Sequence, residues 1–179
     1  MRVLFVATEA APWVKVGGLG DVVGSLPCVL REIGVDARIC LPAHGGALAR
    51  AEHPEPVAAF PVAHRDGPMR AEIFASQLGD VPVYLVSGPP IPAEGAVYSA
   101  RPEEEGRRFG FFSLAAVELA VRLDWRPDVL HCHDWHAAAA VHALAQRRPR
   151  EPALAPLASL LTVHNLPYDG QGAQEELAA

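Results

Sequence analysis

Several things are scarce in this chain of 179 residues. Cysteine occurs three times, as Cys28, Cys40 and Cys132, an odd number without CxxC spacing, which indicates neither a disulfide framework nor a zinc ribbon. Positive charge is outweighed: the formal net charge of −6 argues against a nonspecific nucleic-acid binder, which carries a basic face. No apolar stretch approaches the ~20 residues of a membrane span. The short apolar start, Arg2 to Ala7, is broken by Glu9 and Lys15 too early for a signal peptide. The chain therefore reads as a soluble, cytoplasmic protein with reduced thiols. Its length allows one domain and hardly two, with enough apolar content for a core that needs no covalent or metallic staple.

What is present alternates in type. Residues 2–7 form a continuous apolar run, as expected of a strand buried on both faces. Leu19, Val22, Val23, Leu26, Val29, Leu30 and Ile33 then recur at helical spacing, with Pro27 inside and Gly34 as a stop. Residues 36–41 predict a second strand. Segments 57–63, 69–75 and 81–86 predict three more, the last two as part of a hairpin. A Gly/Pro-rich loop covers 88–102. A helix over 103–123 has acidic residues in its first turn, where the macrodipole favours them. Residues 129–132 predict a strand, 134–147 a helix, 148–157 a proline-rich linker and 159–163 a last strand. This order predicts a Rossmann-like parallel α/β sheet with helices on both faces. The domain is expected to occupy 1–168, with 169–179 a frayed tail.

Ligands of such sheets bind beyond the carboxyl ends of the strands, where strand order reverses. Three strand ends carry polar residues. Gly17 and Gly18 precede the first long helix, whose free N–H groups and dipole suit a phosphate. A glycine turn serves equally as a plain structural loop; Lys15 beside it tilts the reading toward an anion. The spacing is neither GxGxxG nor a P-loop. The second end packs three histidines into six residues, His131, His133 and His136, around Asp134. Asp134 suits a helix N-cap. The histidines suit a metal, with spacing close to the HxHxDH run of metallo-β-lactamase-type hydrolases, although the aspartate sits one residue early. The third end places His164 after the last strand.

Taken together, these segments resemble bacterial glycogen synthase and plant starch synthase, retaining ADP-glucose glucosyltransferases of GT-B architecture. VLFVATEAAPWVKVGGLGDVVGSLP, DARICLP, PDVLHCHDWHAA and LTVHNLPYDG follow in the family's order through nearly all of 1–170. The resemblance implies the amino-terminal lobe of a two-lobed enzyme that transfers glucose from ADP-glucose to the non-reducing end of an α-1,4-glucan. It implies that Lys15 contacts the sugar nucleotide near its diphosphate and that Gly17 and Gly18 form the turn beside the transferred glucose. Asp21 is implied near the donor and acceptor side of the cleft. Asp134 and His136 are implied to line the sugar pocket, with His164 against the donor glucose; Asp134 and His164 are the expected catalytic residues. Tyr98 is a candidate on the acceptor side. Neither a cofactor nor a metal is implied, and the partners are ADP-glucose and the glucan, with no nucleic acid or membrane. The family's second lobe, with most of its adenosine and diphosphate contacts, has no counterpart in these residues, so the chain alone is expected to be inactive. Two other readings remain: a noncatalytic glucan-binding module, and a zinc hydrolase built on His131, His133 and His136.

Overall fold

The computed structural model describes residues 1–64, 67–167 and 170. Its centre is a seven-stranded sheet in the order β3-β4-β5-β2-β1-β6-β7. The strands are β1 (Arg2–Val6), β2 (Asp36–Pro42), β3 (Glu55–Val62), β4 (Met69–Leu78), β5 (Val81–Ser87), β6 (Val129–His133) and β7 (Ala158–Thr162). The helices are α1 (Gly18–Glu32), α2 (Ala47–Arg50), α3 (Pro102–Arg122) and α4 (Trp135–Arg147).

From β5 to β7 the pairing is parallel, as the alternating pattern predicts. The other edge departs from an all-parallel sheet: β4 runs antiparallel to both β3 and β5. Chain connectivity explains the mixed sheet. Only Gly79 and Asp80 separate β4 from β5, with Gly79 at φ 58°, and a two-residue turn can join only antiparallel neighbours.

The central strands are buried on both faces, so side chains alternate between two cores. Leu4 and Val6 of β1 face a cluster with Phe111, Phe112 and Leu119 of α3 and Leu144 of α4. Val3 and Phe5 face the opposite cluster, closed by Leu19 and Val23 of α1. α1 runs through Pro27, which is itself buried. The proline-rich 148–157 segment contains a 3-10 turn, Pro152–Leu154, and anchors Leu154 and Leu157 in the α3/α4 core. β7, the parallel edge, is different: Leu160 is 50% and Leu161 40% exposed, so both faces of its centre are only partly covered. The frayed tail expected over 169–179 lies, except for Gly170, outside the described residues. No helix among the described residues is long and apolar enough to cross a membrane.

Candidate functional site

The order of the parallel strands reverses between β1 and β6, because β1 is followed on one side by β2 and on the other by β6. The chain leaving β1 turns at Thr8 and Glu9 into the loop before α1. Glu9 is 3% exposed and holds that loop from inside. The backbone N–H groups of Val16 and Gly17 donate to its Oε2 at 2.6 and 2.9 Å. The amide of Gly17 is therefore already satisfied by an internal carboxylate, and the anion site expected at the start of α1 has only the amides beyond it. A Cβ on Gly17 or Gly18 would meet nothing within 4 Å, so both face open space. One on Gly20 would press against Glu9 and Lys15, and one on Gly24 would lie 2.5 Å from the Ala11 carbonyl oxygen. These two glycines let α1 lie directly on the loop. Lys15 and Asp21 pair with each other across the first turn of α1, Nζ to Oδ1 2.7 Å, both about half exposed.

The other oxygen of Glu9 reaches the opposite wall. Tyr98 donates its hydroxyl to Glu9 Oε1 at 2.6 Å, which leaves the Thr8 hydroxyl, 2.9 Å away, to donate to Tyr98. Burial, reinforced by the Glu9 carboxylate, pushes the Tyr98 phenol far above its ordinary pKa and keeps it protonated. The first two turns of α3 hold the Tyr98 loop. Ser99 N–H donates to Glu105, its hydroxyl donates to Glu104, and Arg108 donates to the Val97 carbonyl at 2.6 Å.

At the end of β6, Asp134 adopts φ 57°, a positive value rare outside glycine, of the kind that clusters at active sites and ligand clamps. It stands at the N-cap position of α4, but its side chain makes no capping bond. Instead, Asp134 Oδ1 accepts the backbone N–H of His164 at 2.6 Å, while its own N–H donates to the Thr162 carbonyl. His133, one residue earlier, approaches the same histidine from the side, its Nδ1 2.9 Å from His164 Nε2. The rings of His133 and His164 are stacked, and His133 also stacks on Phe5. Burial pulls the His133 pKa down to about 3, helped by its histidine neighbours. His131 Nε2 lies 2.8 Å from the Thr162 hydroxyl.

His136 belongs to another wall. Its ring contacts Tyr98, Phe109 and Trp135, and burial lowers its pKa to about 3. His131 and His133 share a strand face by two-residue alternation, whereas the chain turns into α4 before His136. This separation corrects the zinc-hydrolase reading: no group of three or more His, Cys, Asp or Glu among the described residues is arranged to hold a metal ion.

Gly17, Gly18, Asp134, His136 and His164 line one cavity of about 720 Å³. Lys15 and Asp21 are not part of its lining. Glu9, Trp135 and Asn165, which sequence reasoning did not select, are part of it, and so is Tyr98. Glu9 was readable as a lone acid three residues beyond a buried strand, and Trp135 as the residue between Asp134 and His136.

The family of starch synthase catalytic domains matches residues 2–179. The chain belongs to that family. It is 41% identical to the glycogen synthase of Gloeobacter violaceus over 95% of its own length and 34% of that protein. It is 36% identical to the glycogen synthase of Geotalea uraniireducens, over 99% of this chain and 38% of that one. Among solved structures, the catalytic domain of starch synthase IV from Arabidopsis thaliana, bound to ADP and acarbose, superposes with a TM-score of 0.83 at 29% identity, covering 94% of this chain and 35% of that chain. This starch synthase-family chain thus spans little over a third of its relatives' length, and the resemblance seen in its four ordered motifs holds for the fold as well.

Proposed function

We propose that this chain forms the sugar-facing wall of an α-1,4-glucan synthase that transfers glucose from ADP-glucose, with retention, to the non-reducing end of a glucan. The observation that carries this reading is convergence. Gly17, Gly18, Asp134, His136 and His164 come from three separate strand ends, yet they surround one cavity at the reversal of strand order. The ADP in the Arabidopsis starch synthase IV structure supports the choice of nucleotide.

In this reaction positive charge develops on the sugar while negative charge grows on the departing diphosphate. Only groups that meet those charges better in the transition state than in the ground state raise the rate. Lys15 and the amides at the start of α1 supply the positive side, with Lys15 leaving Asp21 when the diphosphate arrives. The open Cβ positions of Gly17 and Gly18 let the sugar approach the backbone. Asp134 and His164 fix the glucose, and His136 with Tyr98 and Trp135 forms a half-aromatic wall on which a sugar face can lie. The adenosine contacts belong, in this reading, to a second lobe, so residues 1–179 alone give no turnover.

A chimera tests the proposal. Residues 1–167 replace the matching segment of the Gloeobacter glycogen synthase, and glucan synthesis from ADP-glucose is measured. Synthesis that falls on His164→Ala substitution supports the reading. A folded chimera that makes no glucan, or activity in residues 1–179 alone, overturns it.

A further inference from the structure

We propose that His133 is a positioning residue that fixes the tautomer of His164, so that His164 presents Nδ1–H to the cleft as a hydrogen-bond donor for a sugar oxygen. The identity of that oxygen rests on the function proposed above; the tautomer does not.

The inference follows from counting protons. His133 is 1% exposed, and its low pKa makes it neutral in ordinary buffers, so it carries one ring proton. Its Nδ1 faces His164 Nε2 at 2.9 Å, a pair that needs one donor and one acceptor. If His164 donated, the only proton of His133 would sit on Nε2. That nitrogen is buried and has no hydrogen-bond partner among the described residues. An orphaned buried N–H is among the rarest features of native proteins, because its desolvation is uncompensated. With the proton on Nδ1 instead, His133 donates to His164, and only a lone pair is left unsatisfied. His164 Nε2 is then an acceptor, and its single proton must lie on Nδ1.

The contacts among the described residues agree with this assignment. The rings against His133 are Phe5, His131 and His164. The His131 Nε2 is taken by the Thr162 hydroxyl. The backbone of His164 is held by Asp134 Oδ1, so two consecutive residues at the end of β6 grip one residue at the end of β7. Asp134 sets where the ring stands, and His133 sets which nitrogen carries the proton.

Long-range ¹H–¹⁵N correlation NMR of the ¹⁵N-labelled 179-residue chain at mildly alkaline pH reads the tautomer directly. A His164→Gln spectrum identifies the His164 signals by their loss. The expected result is a His164 ring with a pyrrole-type Nδ1 and a pyridine-type Nε2. His133→Phe keeps the stack on Phe5 but removes the donor, and should return His164 to the Nε2–H form that free histidine prefers. His133→Asn places an amide N–H near the lost Nδ1 and should restore the Nδ1–H form. A protonated Nε2 in the wild-type protein, or a His164 tautomer unmoved by His133→Phe, overturns the proposal. If His133→Phe does not fold, the wild-type spectrum decides alone. A silent chimera would leave this tautomer assignment standing, and a protonated Nε2 would leave the glucan reading standing.

Discussion

Lys15 Nζ lies 2.7 Å from Asp21 Oδ1, so the cation closest to the start of α1 is already paired one helical turn further on. Both side chains are more than half exposed, and an ion pair in that setting contributes about 0–1 kcal/mol. Asp21→Asn is therefore expected to leave the urea midpoint of the chain almost unchanged. In the chimera, Lys15→Met should lower kcat/KM for ADP-glucose by about 10²–10³-fold, the usual effect of removing one preorganised electrostatic contact. A large loss of stability in Asp21→Asn would show that the pair holds the fold.

Glu9 joins two walls of the cleft that are 89 residues apart in sequence. Its two oxygens accept three bonds, from Val16, Gly17 and Tyr98. Glu9→Gln keeps one acceptor oxygen and turns an amide N–H₂ toward a donor on the other side. The expected cost is about 1–3 kcal/mol in chemical denaturation, with faster amide exchange confined to the 15–18 and 97–99 segments. Uniformly faster exchange across the sheet would count against a local tie.

The glycines of α1 should separate into two kinds. Gly24→Ala places a methyl 2.5 Å from the Ala11 carbonyl oxygen. Despite alanine's helix propensity, it should destabilise by about 1–3 kcal/mol. Gly18→Ala meets nothing within 4 Å and should keep or slightly raise stability, while its methyl obstructs the cleft and lowers chimera activity. Thermal denaturation of the two variants side by side makes the comparison.

Acid should unfold this protein before its carboxylates titrate. Burial holds the pKa of His44 at about 4 and those of His133 and His136 at about 3, all below the unfolded value near 6.5. Between those limits the unfolded chain binds more protons, so the stability from keeping each ring neutral is complete above pH ~6.5 and is lost as pH falls toward 3–4. Each histidine adds about 1.4 kcal/mol per pH unit to the slope in that window. Urea midpoints measured from pH 7 to 4 should fall steeply, and His133→Asn should flatten the curve by about one proton. A flat profile down to pH 4 would contradict the neutral burial of these rings.

Much of this architecture was legible because burial on both faces leaves a plain mark. The apolar runs of β1, β2 and β5 cannot be mistaken for a surface, and the period of α1 survives Pro27. The mixed edge was only half legible: the hairpin of β4 and β5 was expected, but nothing local places β3 beyond them. The site divides the same way. Gly17, Gly18, Asp134, His136 and His164 were selected from strand-end position and motif, and they meet in the cavity. Three histidines in one short run suggested a common ligand set, yet two-residue alternation along β6 sends His131 and His133 to one face before the chain turns. The anchoring of Tyr98 was not readable, because it depends on Glu9, Glu104, Glu105 and Arg108, whose meeting is a product of tertiary structure. The capping role suggested for Asp134 failed because its carboxylate reaches a residue 30 positions later.

The central place of β1 also governs when the cleft can exist during synthesis. β1 pairs with β2 about 35 positions later in sequence, but its β6 neighbour is tied in through Arg2 and Asp128, 126 positions apart. Until β6 and then β7 have been made, β1 lacks its second neighbour, and Glu9 has Tyr98 opposite it but not the Asp134 and His164 side of the cleft. Closing so long a loop is entropically costly and slow compared with local helix formation. The β6 and β7 side of the cleft therefore depends on the longest-range pairings of these residues, and a nascent chain stalled before β6 would present an unpaired edge of the buried strand β1 to whatever is nearby.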